Sequence, residues 1–105
     1  MSRIVSVTVK EVTADKEVIE EALSLLERYN VVRKASQYDV GGVQLLTENG
    51  KVVLRYYGDS QKSTEMAAKV RDALIAASVA RSLRLLGVNV RVMETPNGFA
   101  IEGWT

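Results

Sequence analysis

The chain has neither histidine nor cysteine, so any chemistry it performs rests on carboxylates, arginine, lysine, tyrosine and hydroxyls. The two absences remove the commonest general base and metal ligand, together with every thiolate nucleophile and every disulfide. Tyr38-Asp39-Val40-Gly41-Gly42 is the most site-like run. Asp39 offers a hydrogen-bond acceptor or base beside the Tyr38 phenol, and Gly41 and Gly42 allow backbone to approach a ligand closely. The same residues serve as a strand-to-strand turn, where Asp and Gly supply unusual backbone angles. Spacing and placement differ from those of a phosphate-binding loop.

Gly58-Asp59-Ser60-Gln61-Lys62-Ser63-Thr64 joins a strand to a helix and ends in Lys-Ser-Thr, but it carries one glycine where phosphate loops need two at fixed spacing. Capping of the helix is the simpler role. Glu17, Glu20, Glu21 and Glu27 line the polar side of a helix, and no second element brings another carboxylate against them, as paired-acid catalysis requires. Without histidine a serine-centred triad lacks its usual base. No catalytic residue, cofactor or metal is expected, and an enzyme is the less favoured reading.

Arg55, Tyr57, Arg91 and Trp104 form a further constellation. If Val5, Val7, Leu54, Val90 and Ile101 point toward helices, strand alternation throws these four to the other side of the sheet. Arginines beside aromatics stack bases and pair phosphates in single-stranded RNA binders. The aromatic ribonucleoprotein signature is missing, and a net charge of +1 supplies no strong field for a polyanion. Tyr, Trp and Arg are equally enriched at protein interfaces. Nucleic acid is thus an alternative partner and not the favoured one.

The elements that position these groups follow from hydrophobic periodicity. Ile4 to Val12 alternates as a half-buried strand. Asp15 caps a helix, with Glu17 in its first turn, and Val18, Ala22, Leu25, Leu26 and Tyr29 give its stripe as far as Asn30. Val31 to Tyr38 reads as one short strand. Asn49-Gly50 joins Val43 to Glu48 and Lys51 to Tyr57 in a hairpin, because a type I′ turn needs positive φ at both central positions. Ser63 is the candidate cap of a long helix ending at Leu86, before Gly87. Val88 to Glu94 and Phe99 to Trp104 close the chain around Pro96-Asn97-Gly98.

With 105 residues, 47% of them hydrophobic and 26% charged, the chain forms one domain over residues 1–105. The order β-α-β-β-β-α-β-β predicts an α+β two-layer sandwich. An antiparallel or mixed sheet with both helices on one face is expected; a ferredoxin-like arrangement with added strands is one form of it, and the strand order is left open. No signal-peptide core and no membrane-length apolar run is present, so a soluble cytoplasmic protein is expected.

Within the long helix the apolar stripe changes sides. At about 100° per residue, Met66, Val70, Ala73, Leu74 and Ala77 share one face, whereas Ile75, Val79, Leu83 and Leu86 run down roughly the opposite side. Arg81 and Arg84 take over the first face. A helix covering one sheet keeps one stripe. This one must kink or bury two faces, and a second buried face in so small a chain points to a homodimer. The expected interface is Ile75, Val79, Leu83, Leu86, Arg81 and Arg84. The two arginines either bridge to carboxylates across it or snorkel over the core edge.

Several landmarks occur in an order similar to that of an uncharacterised family of small proteins from algal plastids and cyanobacteria. A Met-Ser start leads to a strand and the helix Lys16 to Tyr29. Tyr38-Asp39-Val40-Gly41 resembles that family's Tyr-Asp-Ile-Gly element, and Asn49-Gly50 precedes a strand as it does there. Gly87-Val88-Asn89-Val90 resembles its Gly-Phe-Asn-Val step, and the chain closes through Pro96-Asn97-Gly98 on Trp104. Gly103 stands where the family tends to have arginine, and the long helix lacks its glutamine and tyrosine richness. The resemblance implies no activity and transfers no catalytic residue. The favoured function is a self-associating interaction subunit or adaptor.

Overall fold

The structure, a computed structural model, describes residues 3–105; Met1 and Ser2, the start of the family resemblance, lie outside the described residues. The elements are β1 (Ile4–Thr13), α1 (Lys16–Leu25), a 3₁₀ turn (Glu27–Tyr29), β2 (Val31–Arg33), β3 (Tyr38–Val40), β4 (Val43–Glu48), β5 (Lys51–Tyr57), α2 (Gln61–Leu85), β6 (Asn89–Thr95) and β7 (Gly98–Trp104). The fold is the expected α+β sandwich, but it is not ferredoxin-like: its strands are antiparallel throughout, whereas that arrangement joins parallel strands by helical crossovers. They make two sheets: five strands in the order β1-β5-β4-β3-β2, and the hairpin β6-β7.

Local chemistry sets the boundaries. The Asp15 side chain accepts from the Glu17 N–H at 2.9 Å, capping α1. Ser60, and not Ser63, caps α2: its Oγ accepts from the Ser63 N–H at 3.2 Å. At the far end Gly87 has φ +86°, the Val88 N–H donates to the Leu83 carbonyl and the Gly87 N–H to that of Arg84, which completes a Schellman stop. Asn49 and Gly50 both have positive φ, as the I′ turn requires. The stretch read as one strand, Val31 to Tyr38, is two strands turning at Lys34, whose N–H donates to the Gln37 carbonyl. Between Arg33 and Tyr38 only Ala35 is apolar, so nothing there holds a strand against the core.

α1 and α2 lie on one face of the five-stranded sheet. Val9, Leu45, Val52 and Leu54 from the sheet meet Leu23 from α1, Leu26 at its C-cap, and Val70, Leu74 and Ala77 from α2. The hairpin packs on α2 from the side away from that sheet: Asp72, Ile75, Ala76 and Val79 line a groove with Phe99 and Ile101. On a helical projection those α2 positions are roughly opposite Val70 and Leu74. α2 runs unbroken for 25 residues and covers both layers. The second apolar stripe is therefore met in part by the chain's own C-terminal hairpin. No helix among the described residues is long and apolar enough to cross a membrane.

Candidate interaction surface

The hairpin is held by charge. Glu94 on β6 sits where the end of α1 meets the middle of α2. Its carboxylate accepts from the Tyr29 hydroxyl, from Lys69 Nζ at 3.0 Å and from an Arg28 guanidinium nitrogen at 3.0 Å. Burial pushes the Glu94 carboxyl upward, but the three donors outweigh it and hold it at about 2. Its carboxylate raises the Lys69 ammonium, and the Arg28 guanidinium is raised first by Tyr29 and then by Glu94. Nothing in the sequence signals this cluster, because its members come from three elements up to 65 residues apart.

Arg84 bonds Glu21 at 2.7 Å and the Val90 carbonyl at 3.4 Å, tying α2 to α1 and to β6. Arg81 pairs with Asp15 and Glu17. The arginines expected at an interface between copies thus bind α1 of their own chain. They neutralise the acidic face that the sequence presents as merely solvated.

These contacts leave β6 facing α1 and β7 facing outward. No hydrogen bond from another element reaches the outer edge of β7 among the described residues. Beside it runs the groove of Ile75, Ala76, Val79, Phe99 and Ile101, about 350 Å³ in volume. Val79 is 42% exposed, Leu85 75%, Leu86 79% and Trp104 50%. Ile75 and Leu83 are half-buried. Ala80 is the last fully buried residue: Val90, Val92, Phe99 and Ile101 all face α2, yet each is only half-buried.

The other sequence constellations are rearranged. Arg55 and Tyr57 lie on the outer face of the five-stranded sheet, whereas Arg91 and Trp104 lie on the outer face of the hairpin, across the helix layer. They do not share a face, because β6 and β7 never join the main sheet. Both arginines are paired, Arg55 with Glu48 at 3.1 Å and Arg91 with Glu102 at 2.8 Å. The strand register makes Arg55 cross Leu46 and Val53 to reach Glu48, which accounts for the burial of Val53 on an outer face.

The Tyr38–Gly42 loop joins β3 to β4. Asp39 accepts from the Gly42 N–H at 3.1 Å, Gly41 and Gly42 have positive φ, and Tyr38 packs on the core. A Cβ on Gly41 would lie 3.1 Å from Met66 and 3.3 Å from the Tyr29 carbonyl. Asp39 and Gly42 share an outer-face concavity of about 220 Å³ with Ile4, Gln44, Arg55 and Tyr57.

The architecture is thus an α+β sandwich with an outlying hairpin on its helix layer. Comparison with protein-family models, curated proteins and solved structures finds no match to this chain.

Proposed function

We propose that this is a cytoplasmic, self-associating interaction subunit or adaptor, a homodimer with no catalysis of its own. The observation that carries the reading is the uneven burial along the chain. Among the described residues every fully buried one lies between Val9 and Ala80, while the hairpin and the end of α2 expose apolar side chains next to an open strand edge. A two-stranded sheet is marginal alone, and apolar surface clustered beside a free edge is the usual mark of a contact. Ile75, Val79, Leu83 and Leu86 belong to that contact. Arg81 and Arg84 act behind it, fixing α2 to α1.

Size-exclusion chromatography with light scattering over a concentration series tests the reading. A mass of about twice 11.6 kDa, falling on dilution, is the expected outcome. A monomer at every concentration overturns it.

The outer-face concavity supports a second reading, a small-ligand site. Two constellations separate in sequence, Asp39 with Gly42 and Arg55 with Tyr57, converge on it. The RNA-binding alternative has less support, since its four residues occupy two outer surfaces and both arginines are ion-paired.

A further inference from the structure

We infer that two copies associate through β7, edge to edge and antiparallel, about a two-fold axis at Ile101. The two hairpins then become one four-stranded sheet. This rests on the self-association proposed above and specifies its geometry.

The edge itself selects β7. Beside β6 lie Arg84, which bonds the Val90 carbonyl, and Arg28 and Tyr29 at the end of α1, which reach the Glu94 side chain. The outer side of β7 opens onto the groove over Ile75 and Val79. Unpaired strand edges are templates for pairing with another chain, and this one has no proline, no lysine and no bulge, while its single charge, Glu102, is paired with Arg91.

The sequence Gly98-Phe99-Ala100-Ile101-Glu102-Gly103-Trp104 is complementary to its own reverse. With the axis at Ile101, Phe99 lies opposite Gly103 of the partner subunit, Trp104 opposite Gly98 of the partner subunit and Glu102 opposite Ala100 of the partner subunit. Each aromatic meets a glycine, and no carboxylate meets a carboxylate. Sliding the axis to Glu102 sets the two like charges face to face, which disfavours pairing. Sliding it to Ala100 leaves Trp104 beyond the paired stretch.

Alternation also keeps the faces consistent. Phe99, Ile101 and Gly103 stay toward the helices, while Gly98, Ala100, Glu102 and Trp104 stay outside. Stable interfaces begin at about 1,200 Å² of total buried surface, more than a short strand edge supplies alone. The exposed Val79 lines the groove beside the edge, Leu86 continues the same helix stripe, and Trp104 ends the strand; these are the apolar side chains that would complete the contact. A second copy satisfies strand edge, apolar flank and register at once.

Because the protein has no native cysteine, single introduced thiols report the pairing. Ala100→Cys and Glu102→Cys both lie on the outer hairpin face, so neither disturbs the packing on α2. Directly opposite residues fall within disulfide reach, whereas two copies of the same position lie on a diagonal beyond it. Mild oxidation of the mixed variants is expected to give several-fold more disulfide-linked dimer than oxidation of either alone, with unmodified protein dimeric by light scattering. A light-scattering dimer without preferential mixed cross-linking overturns β7 pairing and leaves self-association standing. A monomer at all concentrations overturns both.

Discussion

The two faces of α2 are stabilised by different physics. Toward the five-stranded sheet, Val70, Ala73, Leu74 and Ala77 are wholly excluded from water among aliphatic neighbours, and among the described residues no polar or charged one is buried with them. Toward the hairpin, Ile75 and Val79 remain partly wet, and much of the attachment runs through Glu94, Lys69, Arg28, Tyr29 and Arg84. Burial sets the strength of the first contact, and charge-assisted hydrogen bonds set much of the second. The first therefore tolerates changes of salt and pH, and the second responds to both.

The largest expected effect tests the buried face. Leu74→Ala empties a fully enclosed position, which costs about 2–5 kcal/mol of folding stability. Urea unfolding at neutral pH measures it. A loss below ~1 kcal/mol would show that the main core repacks freely, and the contrast between the faces would collapse.

An intermediate effect is expected on the charged face. Glu94→Gln leaves Lys69 and Arg28 without their counter-charge in a half-buried site, a loss of about 1–3 kcal/mol at neutral pH. The carboxyl is held at about 2 in the fold against an ordinary value of 4.5, so its contribution is fully present above 4.5. It fades as the pH falls from 4.5 toward 2. Wild type and variant are expected to differ in stability at pH 7 and to converge at the acid end of that window. A difference that persists unchanged at the lowest pH would mean that the Gln variant fails for reasons of packing, and that charge does not hold the hairpin.

Much of the fold is legible in the sequence, and the reasons are local. Asp15, Asn49-Gly50 and Gly87 each act within a few residues, through a cap, a turn and a stop, and the structure uses all of them as read. The stripe change in α2 is legible for the same reason, since it is periodicity along one element. What covers the second stripe is not legible. Placing β6 and β7 apart from the main sheet depends on which strand edges pair, and alternation alone permits either arrangement. Grouping Arg91 and Trp104 with Arg55 and Tyr57 assumed one sheet, and the split undoes that grouping. The Glu94 cluster left no trace because its partners are distant in sequence. Arg81 and Arg84 sat on the correct helix face, but their partners on α1 appear only once the two helices pack antiparallel.

The smallest expected effect on folding is the most informative about the open side. Leu86 is 79% exposed at the last turn of α2, so Leu86→Ser is expected to change monomer stability by no more than about 0.5 kcal/mol. The same side chain continues the α2 stripe of Ile75 and Val79 and stands three residues before β6 begins. Burying a leucine fully against a partner contributes about 1.5–3 kcal/mol, so losing even part of it from each subunit weakens a dimer by about tenfold or more. Sedimentation equilibrium and denaturant unfolding on the same preparation separate the two quantities. A weaker dimer with unaltered monomer stability shows that this face is reserved for a second chain. If stability falls and association does not, Leu86 belongs to the chain's own packing, and both faces of α2 serve the fold alone.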